Sequence, residues 1–325
     1  MPEIAIREAL RQAMAEEMRK DDAIFLMGEE VAQYNGAYKV SQGMLEEFGP
    51  ERIIDTPIAE NGFSGLGIGA AMAGMRPIIE LMTWNFSLVA YDQIVNNAAK
   101  IHYMSAGQYT VPIVFRGPNG AAENLGSQHS TSVDAIYAHY PGLKVVTYAT
   151  AYDAKGLLKA AIRDNNPVIF LESEMTYGMK GEVPEEEYVI PLGKADIKRQ
   201  GTDVTLVSWG KQVFNCLTAA KQLESQGISV ELVDLRSLRP LDHETLFASV
   251  VKTGRVVIVQ EGHLFASVAA EVATRIQEAC FDWLDAPILR VQNRDLYQPY
   301  TTELENLAMP SPERIVEACK KVTGK

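Results

Sequence analysis

Short apolar runs alternate with amphipathic stretches along nearly the whole chain, and this alternation limits the fold more than any single motif does. Residues 23–27, 77–81, 111–115, 143–148 and 168–172 read as buried strands, with helical patterns at 4–14, 85–102 and 151–163. A second series follows, with strands at 204–209, 230–235, 256–260 and 288–291. Its helices are expected at 213–226, 243–251, 266–283 and 312–322. Strands separated by helices imply a mostly parallel sheet covered on both faces. The Gly-, Pro- and Glu-rich segment 176–197 divides the two series. The expected architecture is therefore α/β, with parallel-sheet domains at 1–178 and 199–325 and a linker at 179–198.

Length agrees with this, since 325 residues exceed one typical domain and 47% hydrophobic content suffices for a large core. A formal net charge of −12 argues against a nucleic-acid footprint and suits a basic protein partner. Cys216, Cys280 and Cys319 form no C-x-x-C pair and read as buried thiols of a reducing compartment. No signal-peptide layout and no bilayer-long apolar run is present, so a soluble, cytoplasmic protein without membrane contact is expected.

The chemistry points to the stretch 53–74, IIDTPIAENGFSGLGIGAAMAG, in which, after Asp55, one carboxylate, Glu60, stands among apolar and small residues. Each Gly in a helix costs roughly 1 kcal/mol relative to Ala. A chain accepts that where a backbone or a flat ligand must approach closely. Asn61 is the expected cap, placing Glu60 at the helix mouth, where desolvation favours proton sharing near neutral pH. The competing reading is a solvated first-turn acid favoured by the helix dipole. Gly65 to Ala70 also matches G-x-G-x-x-A, but inside the apparent helix rather than in a strand-to-helix turn.

Residues 120–140 form a long segment rich in Gly, Ser, Asn and His, and this favours a functional loop. His129, flanked there by Gln128 and Ser130, is a candidate proton carrier or hydrogen-bond donor, or else a surface histidine. His102, His139, His243 and His263 lack such a setting. Asp164-Asn165-Asn166-Pro167 is first a helix stop, whose exposed carbonyls can also bind a hard monovalent cation. No nucleophile elbow, zinc spacing or Walker loop occurs.

Taken together, IAENGFSGLGIGAAMAGMRPIIELMTWNF, DQIVNNAAKIHYMSAGQ, VPIVFRGPNG, QHS, HYPGLKVV, AAIRDNNPVIFLE, SLRPLD and the EGH turn, in that order, carry a resemblance over nearly the whole chain. It resembles the β subunits of thiamine-diphosphate-dependent 2-oxo acid dehydrogenases, most closely those of pyruvate dehydrogenase complexes. The resemblance implies a pyrimidine-binding domain followed by a transketolase C-terminal-like domain. It implies oxidative decarboxylation of pyruvate with reductive acetylation of lipoyl groups. Glu60 matches a glutamate that hydrogen-bonds the aminopyrimidine and promotes its imino tautomer. Met82 and Phe86 match residues that pack on that ring, and His129 matches a histidine implicated in acyl transfer to lipoamide. Ile113, Ala161, Asp164 and Asn166 match a potassium loop.

The Gly-Asp-Gly…Asn motif that holds magnesium diphosphate in this superfamily is absent, and no other oxygen-ligand set replaces it. The resemblance places that half-site, with its magnesium, on an α subunit of an α2β2 assembly feeding a dihydrolipoyl acyltransferase core. Phe265-Ala266-Ser267-Val268 stands where relatives have a glycine-rich turn, and Tyr297 where a proline is usual. Branched-chain 2-oxo acid and acetoin dehydrogenase β subunits are the near alternatives, and a non-catalytic assembly subunit of the same fold is the distant one. Gln128 resembles the pyruvate type.

Overall fold

The computed structural model describes residues 1–325. The chain forms two compact units, Met1–Asn119 with Ile136–Leu192, and Gly120–Ala135 with Gly193–Lys325.

In the first unit six parallel strands are β1 (Ile24–Gly28), β2 (Ile53–Asp55), β3 (Arg76–Glu80), β4 (Val114–Pro118), β5 (Lys144–Thr147) and β6 (Val168–Glu172). They pair in the order β5-β6-β4-β3-β1-β2. The central strands are buried along their whole length, as continuous apolar runs in a doubly covered sheet should be. Helix α1 (Ile6–Lys20) packs on α3 (Ala151–Arg163) through Leu10, Met14, Leu157, Leu158 and Ile162. Thr150 and Asp153 form a capping box that starts α3. Lys159, almost fully buried, survives there because its Nζ lies 2.8 Å from Glu16.

Helix α2 (Glu60–Met72) begins one residue earlier than the cap expected at Asn61. Ala59 precedes it, with no side-chain cap, and Glu60 is its first residue. Its glycines have separate uses. A Cβ at Gly67 would lie 2.6 Å from Ile79 Cδ1, so that glycine lets α2 approach the sheet, whereas Gly69 faces open space.

The single helix expected at 85–102 is instead a 3₁₀ turn at Trp84–Leu88, a π-helical turn at Gln93–Ala98 and a short helix at Ile101–Met104. Thr83 Oγ1 accepts from the Asn85 N–H at 3.1 Å and Ser87 donates to the Trp84 carbonyl at 2.6 Å. Such local side-chain bonds compete with the α-helical ladder. Within segment 176–197, Lys180–Glu182 pairs antiparallel with Glu3–Ala5.

The second unit holds β7 (Asp196–Arg199), β8 (Val204–Ser208), β9 (Val230–Asp234), β10 (Val256–Val259) and β11 (Leu289–Val291), ordered β11-β10-β8-β9-β7. All pairs are parallel except β7 with β9. Helices α4 (Gln212–Glu224), α5 (His243–Thr253), α6 (Val268–Cys280) and α7 (Pro312–Thr323) cover it. Asp242, Ser267 and Ser311 cap the last three of these. The three cysteines are buried and free, and burial pushes the Cys319 thiol up to about 12. No helix is long and apolar enough to cross a membrane.

Candidate active site

At the carboxyl end of β1 the chain passes Gly28 and Glu29. A Cβ at Gly28 would lie 2.6 Å from the Glu80 carbonyl oxygen, so only glycine permits this approach of β1 to β3. The Thr56 N–H donates to the Gly28 carbonyl at 3.0 Å, tying the end of β1 to the turn that leads into α2. Glu29 and Glu60 are each 5% exposed. Burial first, then the charge of Glu60 and a side-chain hydrogen bond to it, push the Glu29 carboxyl up to about 7. Two buried carboxyls that share a site do not both ionise cheaply, so a proton on Glu29 stays available to Glu60 near neutral pH. Glu29 is the residue that sequence reasoning missed.

Glu29 Oε1, Thr56 Oγ1 and Ser64 Oγ, the last one turn beyond Glu60, are buried with no hydrogen-bond partner. Native interiors rarely leave such atoms unsatisfied unless a ligand or water completes them. Helix α2 packs on the Trp84–Leu88 turn, and on that turn and the loop before it Phe86 and Met82 are half-buried around the fully buried Trp84. Trp84 is held by the Tyr137 ring, 5.2 Å away between centroids. This first unit therefore offers a carboxyl pair, unsatisfied polar atoms and apolar side chains suited to a flat ring bearing ring nitrogens.

Beneath these groups lies a buried ion cluster on neighbouring strand ends. Arg116 Nε and Nη2 donate to Glu172 at 2.5 and 2.6 Å, Nη1 pairs with Glu80, and Tyr177 donates to Glu172 at 2.7 Å. Burial pushes the Glu80 carboxyl up while Arg116 opposes it, and the charge of Glu80 in turn raises Glu29.

The potassium loop implied by the resemblance is well ordered by protein groups. Asp164 pairs with Lys144, and its Oδ1 accepts from Asn166 at 2.9 Å. Lys144 and Asn166 hold that carboxyl below its usual range against the opposing effect of burial. Arg76 donates to the Ile162 and Asp164 carbonyls at 2.8 Å each. The Ile113 and Ala161 carbonyls each accept one backbone N–H, and a carbonyl has two lone pairs.

His129 belongs to the second unit. It ends a 3₁₀ turn at Ser127–His129, is half-buried, and its N–H donates to the Gly126 carbonyl at 3.2 Å. The adjacent Ser130 Oγ is buried without a partner. Of the other histidines, His102 bonds the Tyr109 carbonyl and His243 opens α5.

Thiamine diphosphate fits these residues at one end only. Glu60, Glu29, Met82 and Phe86 suit its aminopyrimidine. No group of three or more His, Cys, Asp or Glu is placed to hold a metal ion for its diphosphate.

Residues 2–180 match the transketolase pyrimidine-binding domain and residues 193–315 the transketolase C-terminal domain. The pyruvate dehydrogenase E1 component subunit beta of Rhizobium meliloti is 56% identical over 100% of the chain and 71% of that relative. That of Rickettsia felis is 55% identical over 98% of both chains. The mitochondrial protein of that name from Caenorhabditis elegans is 55% identical, covering 98% of the chain and 92% of the relative. A solved split gene transketolase, described as an inactive beta4 tetramer, has the same fold, with TM-score 0.83, 24% identity and 99% coverage of each chain. The chain belongs to the family of pyruvate dehydrogenase E1 component β subunits, built on the thiamine-diphosphate-dependent transketolase fold.

Proposed function

We propose that the chain supplies the pyrimidine-binding half of a composite active site for acetyl-transferring oxidation of pyruvate, and that an α subunit supplies the other half. The observation that carries this reading is the buried Glu29–Glu60 pair at the start of α2, which packs on the turn bearing Phe86, with no group of three or more His, Cys, Asp or Glu placed to hold a divalent ion. When bound, thiamine diphosphate supplies a carbon nucleophile toward the 2-oxo carbonyl. Glu60 holds and returns a proton at the pyrimidine ring nitrogen, and Glu29 keeps that proton accessible. Met82 and Phe86 exclude water from the ring face. The imidazole of His129 donates to charge that develops as the acetyl group moves to a lipoyl sulfur. Magnesium lies with the α subunit. A potassium ion uses the spare lone pairs around Ile113, Ala161, Asp164 and Asn166, and exchanging sodium for potassium should then raise the melting temperature. Exposed Ile58 and Leu66, beside and on α2, support a partner there.

The test is co-expression with an α chain carrying a Gly-Asp-Gly motif, followed by a panel of 2-oxo acids. Pyruvate should be decarboxylated in preference to branched-chain acids. His129→Ala should impair reductive acetylation of a lipoyl domain more than decarboxylation read with an artificial electron acceptor. Preference for a branched-chain acid or for acetoin would replace the pyruvate assignment. An inert assembly would leave the chain as a subunit without catalytic residues.

A further inference from the structure

We propose that Glu261 and Lys211 are positioning residues for His129, acting through a two-point clamp on the backbone of its loop. The inference rests on the reading of His129 given above.

The clamp lies wholly within the second unit. Strands β8 and β10 are parallel neighbours, and Lys211 and Glu261 follow their carboxyl ends. Their side chains pair at 2.8 Å and are nearly buried. Both then grip the same residue of the loop. Glu261 Oε1 accepts the Ala121 N–H at 2.6 Å, and Lys211 Nζ donates to the Ala121 carbonyl at 2.7 Å. One peptide position is thus held by an anion on its donor and a cation on its acceptor, and such charge-assisted bonds are stronger than neutral ones.

The neighbouring geometry serves the same end. Gly120 has φ +82°, and a Cβ there would collide with the Glu261 carboxylate. The Gly120 N–H closes the loop's neck on the Thr131 carbonyl at 3.2 Å. Ser132 Oγ donates to the Glu261 carbonyl at 2.9 Å, and Trp209 Nε1 to Asp134 at 2.7 Å.

A second grip holds the tip. The Asn124 N–H donates to Glu305 at 3.0 Å and Ser127 Oγ to the Gln298 carbonyl at 3.1 Å. Gly126, at φ +76°, leaves no space for a side chain against the Tyr300 ring. His129 hangs from Gly126 by its own N–H. A loop composed of Gly, Ser and Asn is thereby fixed at both ends, which holds the imidazole in place before substrate arrives.

The experiment uses the assembled enzyme with its α subunit. Removing one charge alone strands the other, so the main variant is Glu261→Gln/Lys211→Met, which removes both together. Hydrogen–deuterium exchange should show amides of residues 121–129 exchanging at least about tenfold faster, while β8 and β10 stay protected. Reductive acetylation of a lipoyl domain should fall about 10–100-fold and acceptor-linked decarboxylation by less than about threefold. Glu261→Gln alone, which keeps the Lys211 bond to the Ala121 carbonyl as well as an acceptor for its N–H, should lose less than the double variant does. Added to His129→Ala, the double substitution should produce no further loss of acetylation.

Unchanged exchange in the loop overturns the clamp, whatever the activities. Additive losses with His129→Ala, or equal losses in the two assays where His129→Ala itself is selective, overturn the link to His129. If His129→Ala is itself unselective, the reading of His129 fails, and the exchange data still decide the clamp.

Discussion

In the proposed mechanism Glu60 and Glu29 divide the work of one proton, and each can be tested by losing its acid. Glu60→Gln preserves shape and hydrogen-bonding capacity, so the fold should persist in circular dichroism. Loss of a general acid/base should lower turnover of the assembled enzyme roughly 10²–10⁴-fold. Normal exchange of the cofactor's thiazolium proton in that variant would remove Glu60 from the role. Glu29 has a different signature. Its carboxyl is raised in the folded state, to about 7, so the folded chain binds that proton more tightly than the unfolded chain does. The associated stability is complete below the unfolded value near 4.5 and is lost as pH rises through about 7. Wild-type melting temperature should therefore fall between pH 6 and 8, and in Glu29→Gln it should fall less. Parallel curves for the two proteins would show that Glu29 does not hold the proton. Glu60 was legible because it stands alone in a glycine-rich motif. Glu29 was not, because its meaning depends on a contact with a residue 31 positions away. The available signal was an acid directly after the glycine that ends β1, since ligands in α/β sheets gather outside carboxyl strand ends.

Element by element, sequence periodicity located most strands, because a doubly covered strand is a continuous apolar run whatever surrounds it, but it set β4 at 111–115 rather than Val114–Pro118 and missed β7, which starts inside the expected linker. It misjudged 85–102, where Thr83 and Ser87 bond locally and divert the chain into 3₁₀ and π turns. The glycines of α2 were recognised as costly, but the reason differs from one to the next. Gly67→Ala would push a Cβ to 2.6 Å from Ile79 Cδ1 and should destabilise the chain by about 1–3 kcal/mol despite its better helix propensity. Gly69→Ala meets nothing within 4 Å and should stabilise the isolated chain by up to about 1 kcal/mol. Urea denaturation of the two variants distinguishes these signs. Stabilisation by both would mean that Ile79 yields freely and that close packing is not why Gly67 is glycine. The loop 120–132 shows the reverse situation. Its composition suggests mobility, yet Glu261, Lys211, Glu305 and Gln298 tie it down, and bonds to residues 90 or more positions away leave no local trace.

At the scale of the molecule the missing ligands decide most. The diphosphate of the cofactor brings charge that must be met by a metal ion with several oxygen ligands. The chain carries a net charge of −12 and no cluster placed to hold such an ion. On the proposed reading the carboxyl pair and apolar side chains hold a pyrimidine and contribute nothing to a diphosphate. The purified chain should therefore bind thiamine diphosphate weakly, and magnesium should change that affinity little. Addition of the α subunit should bring tight, magnesium-dependent binding and activity together, because both require the same completed site. Isothermal titration with the cofactor, in magnesium and in chelator, measures this directly. Tight magnesium-dependent binding by the chain alone would mean that it contains a complete site, and the division of the active site between two chains would have to be abandoned.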